Sequence, residues 1–201
     1  MIKCILFDLG GVVFNYSDMH DYVPYLSKIS GVGIGEVAKI FSSKELDLLQ
    51  MGRISQARFT SFIAKRLSIR EDRVMFVRYR NLKGKLNLGV VRTARKISRY
   101  YIVGYLTNES RGRYAGVRKA LKPFDSIFRY RFSSCYLGLS KPSEKIYRRV
   151  LNATGFKPQE VVFIDNNREN VIGARRVGIK SILFTSSKDL DRKLRRIGVK
   201  V

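Results

Sequence analysis

Ile2-Lys3-Cys4-Ile5-Leu6-Phe7-Asp8-Leu9-Gly10-Gly11 is the stretch from which the rest of the chain can be read. A short, mostly apolar run breaks onto a carboxylate and then a glycine pair. That pattern reads as a buried strand, Ile2–Phe7, followed by a turn, with Asp8 at the strand's carboxyl end. Two later stretches repeat it: Tyr101–Leu106 runs into Thr107-Asn108, and Val161–Ile164 runs into Asp165-Asn166-Asn167. Shorter strands are expected at Arg131–Ser134 and Ser181–Phe184. Helical patterns separate them at Val90–Arg99, Arg113–Leu121, Ser143–Thr154 behind Pro142, Glu169–Val177 stopped by Gly178, and Lys188–Arg195. Near-continuous apolar strands alternating with helices predict an α/β fold, a parallel sheet with helices on both faces.

Residues 15–85 have a different rhythm. They carry helical periodicity at Met19–Ser30, Ile34–Phe41, Ser43–Met51, Ser55–Leu67 and Arg70–Asn81, with few β-branched runs. Ser55 is a good helix cap, and Gly52 suits the end of the helix before it. This segment reads as an insertion after the first strand, so that 1–14 and 86–201 form the core and 15–85 a helical unit.

The 201 residues include 40 Lys and Arg against 16 Asp and Glu, a net charge of +24. The excess is uneven: residues 1–50 hold 4 basic and 6 acidic side chains, whereas 51–100 hold 14 and 2. Such a field favours anionic partners. The basic residues are scattered over helical faces without an arginine-rich tail or an aromatic-interleaved RNA motif, so nucleic acid is the less favoured partner. At 45% apolar residues the chain can build a core, which excludes a disordered protein. Cys4 and Cys135 cannot make a disulfide framework; Cys4 is expected in the core and Cys135 lacks metal-ligand spacing. The apolar stretches Ile5–Phe14 and Tyr100–Leu106 are too short to span a bilayer, and Asp8 interrupts any leader-like run. The expectation is a cytoplasmic protein with no membrane partner, a monomer or a homodimer.

Ligands of parallel α/β sheets sit at the carboxyl ends of the strands. Three strands here end in Asp8, Thr107-Asn108 and Asp165-Asn166. A carboxylate at the end of a buried apolar run is costly unless something pairs with it. Two of them, distant in sequence, can share a cation, and oxygen-only ligands point to Mg²⁺. Lys141, in the turn before Pro142, can balance their charge and hold an anion.

At these residues the sequence resembles the haloacid-dehalogenase-like superfamily, through four motifs in order across essentially the whole chain. Phe7-Asp8-Leu9-Gly10-Gly11-Val12-Val13 is similar to the first, Leu106-Thr107-Asn108 to the second, Ser140-Lys141-Pro142 with Ile146-Tyr147 to the third. Phe163-Ile164-Asp165-Asn166-Asn167-Arg168-Glu169-Asn170 is similar to the fourth, with Gly173-Ala174 and Val177-Gly178-Ile179 continuing it. Gly52-Arg53-Ile54-Ser55 and Phe59 resemble the family's helical cap. The resemblance implies a Rossmann-like core with an inserted α-helical cap, and a Mg²⁺-dependent hydrolase of small phosphomonoesters. Asp8 would be the nucleophile, forming an aspartyl-phosphate. Thr107 and the Asn108 backbone would hold the phosphoryl oxygens, and Lys141 would neutralise them and orient Asp8. Asp8, the Gly10 carbonyl and Asp165 would hold the metal. The implied partner is a small phosphorylated metabolite.

There are two departures from the family pattern. Gly10 stands where its phosphatases usually carry an acid/base Asp, which implies slower turnover, by a factor of ~10²–10⁴ where proton transfer matters. Asn166 stands where a second Asp is common; it can bond a metal-bound water but brings no charge. Two rivals follow: a 2-haloacid dehalogenase using the same Asp8, disfavoured by Gly10-Gly11 and Asp165, and a non-catalytic binding protein on the same fold. Asn15, Tyr16, Ser17 and His20 lie where the chain leaves the first motif and are expected mainly on the surface, with His20 a candidate to replace the missing proton function. Arg53 is expected as an exposed linker arginine, and Asn170 as a support of the fourth-motif loop.

Overall fold

The computed structural model describes residues 1–15, 18–74 and 85–201, and for 18–21 and 85 the backbone only. In chain order its elements are β1 (Cys4–Phe7), β2 (Phe14–Asn15), α1 (Asp18–Ser30), α2 (Ile34–Ile40), α3 (Lys44–Gln50) and α4 (Gln56–Leu67). There follow β3 (Lys85–Leu86), α5 (Leu88–Ile97), β4 (Ile102–Thr107), α6 (Arg111–Leu121), β5 (Tyr130–Ser133) and α7 (Ser134–Leu137). The chain closes with α8 (Glu144–Thr154), β6 (Val161–Asp165), α9 (Arg168–Arg176), β7 (Lys180–Leu183) and α10 (Ser187–Arg196).

The main sheet has five strands in the order β5-β4-β1-β6-β7, every neighbouring pair parallel. β1 lies at the centre, flanked by β4 and β6, which explains its unbroken apolar sequence: both faces are covered. The two-residue period divides its side chains between two cores. Ile5 and Phe7 join Val90, Ala94 and Ile97 of α5, Val117 and Leu121 of α6, and Leu190 and Leu194 of α10. Cys4 and Leu6 join Ile146, Tyr147 and Val150 of α8 and Ala174 of α9. The Rossmann-like layering expected from the sequence is therefore present, with helices on both sides of a parallel sheet.

From β1 the chain moves to β4 and β5 on one side, then crosses back to β6 and β7 on the other. The strand order reverses between β1 and β6. At such a switch point the connections leave in opposite directions and open a crevice at the strands' carboxyl ends. Register places Phe7 beside Ile164, so the residues that follow, Asp8 and Asp165, emerge side by side.

A third cluster gathers Leu26, Val37, Ile40, Phe59, Ile63 and Leu67 from the helices after β2. Ser55 caps α4, accepting from the Arg58 amide at 3.1 Å, as its position predicts. Of the helix expected over Arg70–Asn81, residues 71–74 are helical and Arg70 precedes them outside the helix; 75–81 fall outside the described residues. Two features were not expected. β2 and β3 form a short antiparallel pair, Phe14 opposite Leu86 and Asn15 opposite Lys85, and the amide of Asn87 donates to the Val13 carbonyl at 2.8 Å. The chain thus leaves and re-enters the sheet region through one two-stranded clasp, too short to show periodicity. The one-turn helix α7 was likewise missed, being a single turn after a strand.

Gly173, on α9, marks the closest approach between the fourth-motif helix and the turn before α8: a side chain there would run into the Pro142 carbonyl and, at 3.1 Å, the Tyr147 ring. Gly173→Ala should therefore overpack the sheet's second core and cost about 1–3 kcal/mol, lowering the melting temperature by about 2–4 °C per kcal/mol in a chain of this size. Gly116→Ala on α6, where nothing lies within 4 Å, should leave melting unchanged or raise it slightly. Equal melting temperatures for the two variants would contradict this packing.

Candidate active site

Asp8 follows β1, and its amide donates to the Ile164 carbonyl at 2.7 Å, which continues the sheet ladder to the carboxylate itself. Asp165 ends β6, fully buried. Between them stands Lys141. Its ammonium donates to Asp8 Oδ1 and to Asp165 Oδ2, both at 2.7 Å, so those two oxygens lie no farther apart than twice that distance. Lys141 is 4% exposed and Asp8 7%. Its Nζ also lies 5.2 Å from the Phe163 ring centroid.

The lysine is held by its backbone. The Asn108 side chain bridges to the Lys141 main chain, donating to its carbonyl at 2.9 Å and accepting from its amide at 3.0 Å. Thus β4 sets the position of the loop that carries Lys141. Asp165 is held in turn: its Oδ1 accepts from the Asn167 amide at 2.7 Å and its Oδ2 from the Asn170 side chain at 3.0 Å. Tyr147, buried on α8, donates to the Asn170 carbonyl at 2.7 Å. Asn170 therefore supports the fourth-motif loop, as expected.

Two buried carboxylates share one ammonium, which leaves an uncompensated negative charge. Burial is the main force raising the Asp8 carboxyl, to about 6; the Lys141 charge opposes it and the Asp165 charge adds to it. For Lys141 burial acts downward, but the two carboxylates outweigh it and its pKa is raised. The excess charge and the oxygen-only donors, Asp8 and Asp165 beside the backbone of Gly10, fit a small hard dication such as Mg²⁺. Among the described residues no group of three or more His, Cys, Asp or Glu gathers as a metal cage. A site of this kind suits an ion that keeps several of its waters.

Thr107 ends β4, 1% exposed, and lines the same cavity as Asp8, Gly10, Asn108, Lys141 and Asp165. Its hydroxyl makes no hydrogen bond to another described residue. A buried hydroxyl facing a cavity in this way is suited to a ligand oxygen. Gly11 adopts φ +79°, and the Asn166 side chain lies against it, its Cγ 2.8 Å from where a Cβ would stand. Asn166 thus packs on the first-motif turn.

Other expected residues fall away from this cluster. Arg53 reaches the Gly138 carbonyl at 3.2 Å and does not line the cavity. Asn15 is exposed in β2. Tyr16, Ser17 and the His20 side chain lie outside the described residues. Cys4 is a core residue whose thiol burial pushes up to about 12, and Cys135 is buried with its sulfur 3.3 Å from the Ser133 hydroxyl. Sequence reasoning missed Glu109 and Arg113, which line the cavity and pair at 3.1 Å; the four-residue spacing of opposite charges, from the loop before α6 into its first turn, was the available signal. It also missed Ser134, whose hydroxyl donates to the Gln50 carbonyl at 2.6 Å and accepts from the Glu109 amide at 3.0 Å, tying α3 to the sheet.

The profile of the haloacid dehalogenase-like hydrolases matches residues 2–178, and the chain belongs to that family. It is 27% identical to a drimenol cyclase of Aspergillus calidoustus over 98% of this chain, yet it spans only 37% of that protein's length. It is 23% identical to a sesquiterpene phosphatase of Aspergillus oryzae, covering 97% of this chain and 96% of that one. Among solved structures, a HAD family enzyme of Bacteroides thetaiotaomicron in complex with magnesium and inorganic phosphate superposes with a TM-score of 0.78, at 22% identity, over 97% of this chain and 100% of that one.

The raised carboxyl has a stability consequence. An Asp that titrates near 3.8 when unfolded and near 6 when folded contributes stability fully present below the lower value and lost as pH rises through the upper one. In chelator-treated protein the melting temperature of the parent should therefore fall, relative to Asp8→Asn, between about pH 4 and 6. Parallel melting curves for the two proteins across that range would contradict the charge balance described here.

Proposed function

We propose that this haloacid dehalogenase-like hydrolase is a Mg²⁺-dependent phosphomonoesterase acting through an aspartyl-phosphate on Asp8. The observation that carries the reading is the Lys141 ammonium held between Asp8 and Asp165 beside the buried Thr107 hydroxyl, which has no hydrogen-bond partner among the described residues. Phosphoryl transfer depends mainly on in-line placement and neutralisation of charge, and these groups supply both. The names of two relatives point the same way, the sesquiterpene phosphatase above and a glyceraldehyde 3-phosphate phosphatase of Pyrococcus furiosus, 32% identical over 32% of this chain and 27% of that one.

In this mechanism the Asp8 oxygen not bonded to Lys141 attacks phosphorus, and the P–O bond to the alcohol breaks with its electron pair leaving on the alcohol oxygen. The Thr107 hydroxyl and the Asn108 amide hold the phosphoryl oxygens. Lys141, fixed through the Asn108 bridge, keeps Asp8 oriented and offsets the developing charge. Asp8, the Gly10 carbonyl and Asp165 would hold the metal, which when bound offsets the phosphoryl charge and the second carboxylate. With Gly10 at the acid/base position the alcohol oxygen takes its proton from water in the cavity. Water then attacks the phosphorus of the aspartyl-phosphate, releasing phosphate and restoring Asp8. The helices of 15–85 act as a cap over this site, meeting the sheet through the contact between Ser134 and Gln50.

The test is phosphate release from p-nitrophenyl phosphate. The protein should be active with Mg²⁺ and inactive after chelation. Asp8→Asn should abolish turnover, and Asp165→Asn should raise the Mg²⁺ concentration needed at least tenfold. Chloride release from 2-chloropropionate by chelated protein that leaves phosphate esters intact would instead establish a dehalogenase. Undiminished turnover by Asp8→Asn would remove the nucleophile.

A further inference from the structure

The cavity above the carboxylates has a volume of about 720 Å³, far more than a phosphoryl group needs and within the range of sites for drug-sized ligands. Its two ends differ in chemistry. The floor is the polar cluster at the strand ends. The wall formed by α1–α4 presents Tyr22, Phe41, Leu46, Phe59 and Ile63. The Tyr22 hydroxyl donates to the Val74 carbonyl at 3.2 Å, and its ring meets Phe41 edge-on at 5.4 Å, so an aromatic surface faces the space. Polar groups on that wall come from Asp47, Gln50, Gln56 and Thr60.

The charge lining the cavity opposes that of the whole chain. In a protein of net charge +24, the only cations lining it among the described residues are Lys141 and Arg113. Lys141 is engaged by both carboxylates, and Arg113 is paired with Glu109. Among the described residues the wall opposite Lys141 contributes one charged group, the carboxylate of Asp47. Among the described residues, a substrate with a second anionic group would find no cation at that end and would meet Asp47. A sugar would pair some hydroxyls with Asp47, Gln50, Gln56 or Thr60 but set others against the aromatic and aliphatic side chains, and each buried hydroxyl left unpaired weakens binding.

We infer that the substrate is the monophosphate of an uncharged, apolar alcohol, its hydrocarbon or aromatic part seated against Tyr22, Phe41, Leu46, Phe59 and Ile63. This rests on the phosphomonoesterase reading above and adds the leaving group to it. The apolar part does no chemistry; it holds the ester over Asp8 and keeps bulk water from the wall.

The experiment is a Mg²⁺-supplemented series of n-alkyl phosphates from ethyl to octyl, run beside glucose 6-phosphate, AMP and phosphoglycolate. Values of kcat/KM should rise along the alkyl series by about fourfold per methylene until the wall is covered, chiefly through KM, and should exceed those of the three polar esters. The non-hydrolysable n-octylphosphonate should compete more strongly than ethylphosphonate. Leu46→Gln, at a half-buried position, should flatten the series, and a melting temperature within a few degrees of the parent would show that the variant folds. A flat alkyl series in the parent, or AMP or glucose 6-phosphate hydrolysed as well as octyl phosphate, overturns the apolar leaving group and leaves the phosphatase reading intact. No turnover of any ester overturns that reading and this inference with it.

Discussion

The ammonium of Lys141 is the pivot of the molecule. It sits between two carboxylates at the carboxyl edge of a buried sheet, where removing it would leave two buried carboxylates with no compensating charge. Buried ion pairs are poor sources of stability because desolvation offsets their attraction. A protein that keeps three such charges together, with one negative charge in excess, is using the arrangement for something other than holding itself folded. Burial chiefly, with the Asp165 charge adding to it, raises the Asp8 carboxyl, so the excess charge is held at a cost. It is relieved by a proton or by a cation, and the donor atoms favour a hard, oxygen-seeking one.

The fold delivers this arrangement from three distant parts of the sequence. Pairing of β1 with β6 puts Asp8 and Asp165 in adjacent positions at the point where strand order reverses. β4 contributes Thr107 and the Asn108 side chain, and the reciprocal bridge from Asn108 to the Lys141 backbone carries the lysine into the gap. Tyr147 and Asn170 stiffen the other side by gripping Asp165. Asn108, Tyr147 and Asn170 therefore decide whether Lys141 and Asp165 are in place. Close packing at Gly173 against the Pro142 carbonyl couples the same loop to α9.

Much of this was legible beforehand. Apolar strands ending in Asp8, Thr107-Asn108 and Asp165 stand out because a fully buried parallel strand has no polar alternation to blur its end. The order of the motifs placed the lysine as well. The Asn108 bridge was not legible, because an asparagine after a strand is equally compatible with a turn, a cap or a backbone contact. The two-residue strands β2 and β3 carry no period. The lining of the cavity was hidden for a different reason: α1–α4 have apolar faces that read alike whether they pack on one another or on a ligand. Only their placement shows that Phe41 and Leu46 face the space above Asp8 while Leu26 and Val37 are fully buried.

The most direct measurement of the central claim is a crystal structure of the protein soaked with Mg²⁺ and beryllium trifluoride, a stand-in for a phosphoryl group bonded to a carboxylate. The account predicts beryllium on an Asp8 oxygen, a fluorine accepting from the Thr107 hydroxyl, the ammonium of Lys141 against the adduct, and the metal between Asp8 and Asp165. An adduct on any other residue, or an unmodified Asp8 with the metal bound elsewhere, would contradict it.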